Sequence, residues 1–333
     1  MFVLAPEHLP ASPPAPHSRE AAGGSSFSRS GKWGDRLFHG TALSFSTGIL
    51  LLTGGIGASL WRNSSLSRHA FGWKFLVGRV WDPVAGQFGA LPFLYGTILT
   101  SALALLIAVP LGVGAAIFLS ELAPRRLSDI MSFLIELLAA VPSVIYGLLG
   151  IFVLVPLVRQ FLEPVLGKTL GFLPLFSGPP YGVGFLSAGL ILAVMIIPFI
   201  ITVTREVMLS TPKLLREAAM ALGATRWEVA TTVVLPFARS GISGAIFLAL
   251  ARALGETMAV TMVIGNTPVV SASLFSPGYT MAAVLANEFT EATGDLYLNA
   301  LIEIGLVLFG ATLIVNALAQ LLVWSVKNRG GRR

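Results

Sequence analysis

Six long apolar stretches run through this 333-residue chain, and they leave few folds open. A helix needs roughly 20 apolar residues to cross the hydrocarbon of a bilayer. Within lipid every backbone polar group must also be satisfied by the segment itself. The stretches Leu37–Trp61, Pro92–Leu119, Ser128–Val158, Val183–Leu209, Val234–Ile264 and Leu298–Val326 each reach the required length. They predict an all-α integral membrane protein with about six transmembrane helices. Only 11% of the residues are charged, against about a quarter in soluble proteins, so much of the surface must meet something other than water. The third stretch is longer than one span needs and holds Pro142 and Pro156, which predicts a kink or tilt. A further helix around Thr280–Ala292 is too short to span.

Residues 1–36 read as a disordered tail. Pro6, Pro10, Pro13, Pro14 and Pro16 are followed by Gly23, Gly24 and four serines, and such a stretch cannot bury enough apolar surface to offset its ordering entropy. It also lacks the basic start and apolar core of a signal peptide. The membrane-spanning body is predicted over residues 37–326, and residues 327–333 form a basic C-terminus. With the N-terminus inside, 15 lysines and arginines fall on the inner side and six outside, with Arg252 inside a span. That bias places both termini in the cytoplasm. The net charge of +6 therefore reflects membrane topology rather than a nucleic-acid partner. With no cysteine in the chain, there is neither a disulfide framework nor a thiolate metal site to propose.

Charged residues inside the predicted spans include Glu136, Arg252, Glu256 and Glu303. Each costs roughly 2.5–3.5 kcal/mol at mid-helix and should face a bundle interior, a cavity or a partner. Glu136 and Glu303 lie near helix ends, which favours a structural role. Arg252 and Glu256 are four apart in span five, on one predicted face with Ala245, Ala249, Gly255 and Ala259. One reading is a self-neutralising pair that makes the span insertable. The other is a guanidinium offered to an oxyanion, with Glu256 holding Arg252 when the path is empty. Small residues at Ser240, Gly241, Gly244 and Ala245, and at Gly112, Gly114 and Ala116, fit close helix packing in lipid.

The inner-side stretch from Thr211 to Pro236 predicts a helix–glycine–helix elbow. Pro212 favours a helix start, Leu214–Leu222 is short and amphipathic, and Gly223 tolerates the left-handed turn that stops it. A second helix begins near Arg226 and leads into span five. Glu217-Ala218-Ala219, three residues, Gly223, nine residues, Val233, one residue, then Leu235-Pro236 resembles the EAA loop of ABC importer permeases. Val233 stands where that family usually has isoleucine. The resemblance implies a type I (MetI-like) permease bundle whose loop docks into a cytoplasmic ATPase.

A second set of words narrows the resemblance. Arg252-Ala-Leu-Gly-Glu-Thr-Met-Ala-Val260 and Ala140-Val-Pro-Ser-Val-Ile-Tyr-Gly147 resemble phosphate importer permeases, as do Gly96-Thr-Ile-Leu-Thr-Ser101, Pro110-Leu-Gly112 and Ala286-Asn-Glu-Phe289. Of the two sister permeases in such importers, the wording looks like the PstC type. The resemblance implies a PstA-like second permease, two PstB-like ATPases, a PstS-like phosphate-binding protein and phosphate as the ion carried. ATP and magnesium would be bound by the ATPase, leaving this chain without a cofactor or enzymatic activity, in a bacterial plasma membrane. It ties Arg252 and Glu256 to phosphate passage. Thr97, Thr100, Ser143, Tyr146, Thr257 and Asn266 are further candidates for a polar path, with helix–helix hydrogen bonding the alternative for each. Molybdate or sulfate is the nearest alternative substrate, and a self-sufficient anion channel or secondary transporter the alternative class. Gly167-Lys168-Thr169 mimics the end of a phosphate-binding loop, but Leu162 stands where that motif needs glycine. The four histidines carry no zinc-protease spacing.

Overall fold

A computed structural model describes residues 30–330, and residues 1–29 and 331–333, which hold most of the predicted tail, lie outside it. Residue 36, the predicted end of that tail, falls inside a helix that begins at Ser30. The described residues include six helices long and apolar enough to cross a membrane: Arg36–Asn63, Leu91–Leu122, Ser143–Leu170, Phe185–Leu209, Arg226–Leu254 and Asp295–Leu321. They are spans one to six below. The chain divides into two compact units at Gly54, so the first 19 residues of span one, 36–54, belong to one unit and everything that follows to the other.

Span four is the centre of the second unit. Two-thirds of its most apolar window is buried (67%), far more than in any other span, and Ile191, Leu192, Ile196 and Ile200 sit in its core. Span two lies along it, because glycines let the backbones approach. A methyl added at Gly112 would come within 2.7 Å of Ile200, and one at Gly189 within 2.5 Å of Leu103. Gly241 of span five meets Val207 as closely, whereas Gly114 and Gly244 face open space. Only part of each predicted small-residue stripe is therefore used for packing within this chain.

Proline decides where the helices deform. Wide i→i+5 turns occupy Phe118–Leu122, Gly150–Leu154, Val158–Leu162 and Ala230–Val234. Each ends two residues before a proline: Pro124, Pro156, Pro164 and Pro236. In all four, the residue just before the proline donates to the carbonyl five back: Ala123 to Phe118, Val155 to Gly150, Glu163 to Val158 and Leu235 to Ala230. Proline has no N–H, and its ring clashes with the carbonyl four residues earlier. Widening the preceding turn by one residue moves that carbonyl aside, and the helix continues through Pro156, Pro164 and Pro236 but ends at Ala123, which is extended before Pro124.

Pro142 acts differently, and it corrects the third predicted span. Its backbone is extended (φ −58°, ψ 140°), so the helix Arg125–Ala139 stops and a new one starts at Ser143. The residue before a proline disfavours the helical region, which makes a clean stop here rather than a kink. Span three runs Ser143–Leu170 instead of Ser128–Val158. Glu136 consequently sits on a separate amphipathic helix, and Arg159 and Lys168 lie within the span rather than in the loop that follows it.

Two smaller structures join the spans. Between spans one and two, the helices Ser65–Phe71 and Lys74–Val77 precede a hairpin that pairs Trp81 with Phe88 and Asp82 with Gln87. Trp81 packs edge-on against Phe88 and Phe93, each 4.9 Å away between ring centres. Glu288 Oε2 accepts from Trp81 Nε1 (2.8 Å) and from the Tyr297 hydroxyl (2.7 Å). The predicted short helix near residue 280 is present as Met281–Glu288, with Thr280 Oγ1 capping it by accepting from Ala283 N.

Candidate functional site

The elbow between spans four and five consists of a helix, Lys213–Ala221, a glycine, and the start of span five at Arg226. Gly223 has φ +90°, with nothing within 4 Å of where a side chain would begin. Glycine is needed there for the backbone turn, not for space. Thr225 opens the next helix with a reciprocal cap: Glu228 N donates to its Oγ1 (3.3 Å), and Thr225 N donates to Glu228 Oε2 (2.7 Å). The pattern Thr-x-x-Glu is a capping box and is readable in sequence.

The inner face of the elbow is tied down by a residue the sequence did not flag. Arg216 makes a two-pronged ion pair with Glu121 at the end of span two, Nη2 to Oε1 at 2.9 Å and Nε to Oε2 at 3.2 Å. It also donates to the carbonyls of Met208 (2.7 Å) and Thr211 (2.6 Å), where span four ends. One guanidinium thereby joins the elbow helix to spans two and four, using the fork geometry that lysine lacks. Ala219 and Leu235 pack with Met208, Val229 and Val234 beneath it. On the outer face, Glu217 and Ala218 are exposed, and so are Leu214 (74%), Leu222 (91%) and Trp227 (56%). Pro236 is exposed as well, just after the wide turn.

The second place is the far end of span five. The helix stops at Leu254, Gly255 caps it, and a short helix resumes at Met258–Val263. The predicted single face carrying Arg252 and Glu256 therefore does not exist, because Gly255 ends the helix between them. Nor do the two form an ion pair: Glu256 Oε1 accepts from Ala259 N at 3.2 Å, capping the short helix. Among the described residues the ion pairs are Arg205–Glu206 and Arg216–Glu121. Arg252 belongs to neither, is exposed, and has its Cζ 5.9 Å from the centre of the Phe199 ring on span four. It lies within electrostatic reach of Tyr146, whose hydroxyl donates to Leu138 O at 2.7 Å.

The remaining candidates divide. Span three packs onto the short helix after the break so closely that a methyl at Gly147 would lie 3.2 Å from Ala259 Cα, which brings the segment beginning Ser143–Tyr146 beside the one beginning at Thr257. Thr97 and Thr100 are elsewhere and buried. Thr97 Oγ1 donates to Phe93 O (2.8 Å) and accepts from Met281 N (2.9 Å), and Thr100 Oγ1 donates to Gly96 O (2.8 Å). Thr97 joins span two to the Met281–Glu288 helix, whereas Thr100 bonds back within span two. Asn266, with φ 49°, folds its amide back to donate to Thr261 O at 3.0 Å.

One helix, span five, thus joins an elbow with an exposed apolar face to an arginine that has no carboxylate partner among the described residues. Residues 108–328 match the family described as "Binding-protein-dependent transport system inner membrane component". The chain is 47% identical over 301 residues to the "Phosphate transport system permease protein PstC" of Mesorhizobium japonicum, covering 89% of this chain and 92% of that one. It is 47% identical over 304 residues to the Haemophilus influenzae protein of the same name, covering 90% and 96%, and 40% identical over 260 residues to "PstC 1" of Mycobacterium tuberculosis, covering 76% and 77%. The chain belongs to this family of binding-protein-dependent membrane components and, within it, to the PstC-type permeases. Among solved structures, a chain of a bacterial alginate ABC transporter in complex with its pentasaccharide-bound periplasmic protein superposes with a TM-score of 0.56 at 15% identity, covering 86% of this chain and 93% of that one. The fold is that of the ABC importer permeases.

Proposed function

We propose that this chain is the membrane-spanning permease subunit of an ATP-driven importer that carries inorganic phosphate into the cytoplasm. The observation that carries this reading is the 47% identity to phosphate permeases, spread over 89% of the chain rather than confined to the elbow. A PstA-like permease, two PstB-like ATPases bearing ATP and magnesium, and a PstS-like binding protein complete the system. The lysine and arginine bias supports placing both termini and the elbow on the cytoplasmic side. ATP hydrolysis then belongs to the partner, and this chain performs no covalent chemistry.

The geometry supports a division of labour. The exposed Leu214, Leu222 and Trp227 around Glu217, Ala218 and Gly223 form the surface an ATPase would grip. Arg216 passes movement of that helix to spans two and four, and the capped helix from Thr225 passes it to span five. At the far end of span five, Arg252 keeps its donors free of any carboxylate, and a guanidinium fork suits a tetrahedral oxyanion. Glu256 shapes the break instead of neutralising Arg252, while Ser143, Tyr146 and Thr257 supply nearby polar groups. ATPase closure would open the path outward, the binding protein would release phosphate near Arg252, and hydrolysis would return the bundle to its inward-facing form.

The test is reconstitution of the complete importer in vesicles with phosphate-, sulfate- or molybdate-loaded binding protein. ATP-dependent uptake of phosphate alone is expected. Uptake of sulfate or molybdate in its place would overturn the substrate, and uptake without ATP would overturn the coupling.

A further inference from the structure

Span six carries a carboxylate that transport through the Arg252 region does not use. Glu303 is 6% exposed, and its Oε2 has no hydrogen-bond partner. Beside it on the Ser65–Phe71 helix, which packs on span six, Ser67 is fully buried with its Oγ turned toward the carboxylate but short of full hydrogen-bond geometry. A carboxylate inside a membrane helix is costly unless something pairs with it. The Ser67 hydroxyl faces the carboxylate, and Glu303 Oε2 still has room for a stronger donor.

The space next to them is a cavity of about 310 Å³ lined by Trp61, Arg68, Trp73, Glu303, Leu306 and Val307 among others. Arg68 is held in place by the chain itself: Nε donates to Ser64 Oγ (3.1 Å), Nη2 donates to Trp61 O, and Cζ lies 3.7 Å over the Trp61 ring. Its Nη1 has no partner among the described residues. The cavity thus offers a fixed cation, a buried acceptor and an apolar floor.

Its level in the membrane follows from the helix. Glu303 lies eight residues into span six from Asp295, about 12 Å along the axis at 1.5 Å per residue. Trp61, near the end of span one, is 58% exposed, and Trp73 is 86% exposed. Tryptophans at such positions mark the boundary between headgroups and acyl chains.

We propose that this cavity seats the headgroup of an aminophospholipid, its phosphate on Arg68, its primary ammonium on Glu303 and its first acyl carbons on Leu306 and Val307. A free phosphate dianion fits less well, because Glu303 would repel it. A choline headgroup carries a positive charge but has no N–H to donate to Glu303. The assignment rests on the membrane topology and not on which anion the importer carries.

The experiment uses the intact importer, exchanged into nanodiscs holding equal amounts of phosphatidylethanolamine, phosphatidylcholine and phosphatidylglycerol, then stripped with mild detergent and weighed by native mass spectrometry. One phosphatidylethanolamine per copy of this chain is expected, retained at least ten-fold over the other two lipids. E303Q and R68Q should each lose that enrichment. Equal retention of phosphatidylcholine in the unaltered importer overturns the proposal without reference to any variant's folding. Undiminished enrichment in both variants overturns it as well. In a second arm, delipidated importer is titrated with inorganic phosphate. Phosphate binding that R68Q removes would assign the cavity to the free ion and defeat the lipid reading; no such binding is expected.

Discussion

The two ends of span five are both interruptions, and they are finished in opposite ways. At the elbow the inward-facing Arg216 is paired with Glu121 and two carbonyls, and the exposed Glu228 with Thr225. Uncovered there are the large apolar side chains Leu214, Leu222 and Trp227, with Glu217 among them. At the break after Leu254 the apolar groups are packed, with Ala253, Leu254, Ala259 and Val260 buried, and a charge, Arg252, is left without a carboxylate. An uncovered apolar face fits a protein partner, whereas an unpaired guanidinium in a membrane bundle fits an anion. Under the proposed function, the contrast assigns coupling and passage to opposite ends of one helix.

That separation can be challenged in order of effect. Arg252→Gln removes the charge but keeps donors, and charge-assisted hydrogen bonds contribute about 1.5–3 kcal/mol. Phosphate uptake in vesicles should fall about 10- to 100-fold, with Arg252→Lys falling less. Loss of assembly in Arg252→Gln, seen by size-exclusion chromatography, would make the residue structural. Arg216→Ala leaves Glu121 unpaired in a largely buried setting. A double-mutant cycle with Glu121→Ala, read by denaturant unfolding, should give a coupling of about 1–3 kcal/mol. Both single variants should raise the ATP consumed per phosphate imported, and a charge-swapped pair should recover part of the loss. A coupling near zero would remove Arg216 as the link to span two.

Gly223→Val places a β-branched residue at φ +90°, which costs about 1–2 kcal/mol. Stimulation of the ATPase by loaded binding protein should drop, while phosphate binding by the assembled permease stays intact. Thr225→Ala loses a cap of about 1 kcal/mol. Faster amide exchange in residues 226–229 is expected, with uptake reduced less than in Gly223→Val. Thr97→Val gives the smallest effect on transport. It should loosen the Met281–Glu288 helix but leave the phosphate KM unchanged, and a shifted KM would return Thr97 to the path.

How much of this was legible in the sequence depends on the range over which the signal acts. The six spans were readable because apolar length is a local property, and Gly223 was readable because a left-handed stop needs glycine. Pro142 was read as a kink, although its predecessor Val141 already disfavoured helix and the polar face of Arg125, Arg126, Asp129 and Glu136 marked a separate amphipathic helix. The shared face of Arg252 and Glu256 failed for a similar reason. Gly255 sits between them as a helix stop, and helical spacing counted through it has no meaning. Prolines 124, 156, 164 and 236 announce wide turns that hydropathy does not see. The Arg216–Glu121 pair joins residues 95 apart, and one sequence without relatives gives no signal for it.

The most direct measurement reads ATP hydrolysis and phosphate uptake together in vesicles carrying the complete importer with Arg252→Gln. If the two ends of span five serve separate roles, loaded binding protein should still stimulate hydrolysis to near the unaltered rate while phosphate uptake falls about 10- to 100-fold. Uptake that persists alongside hydrolysis, or hydrolysis that collapses together with uptake, would contradict it.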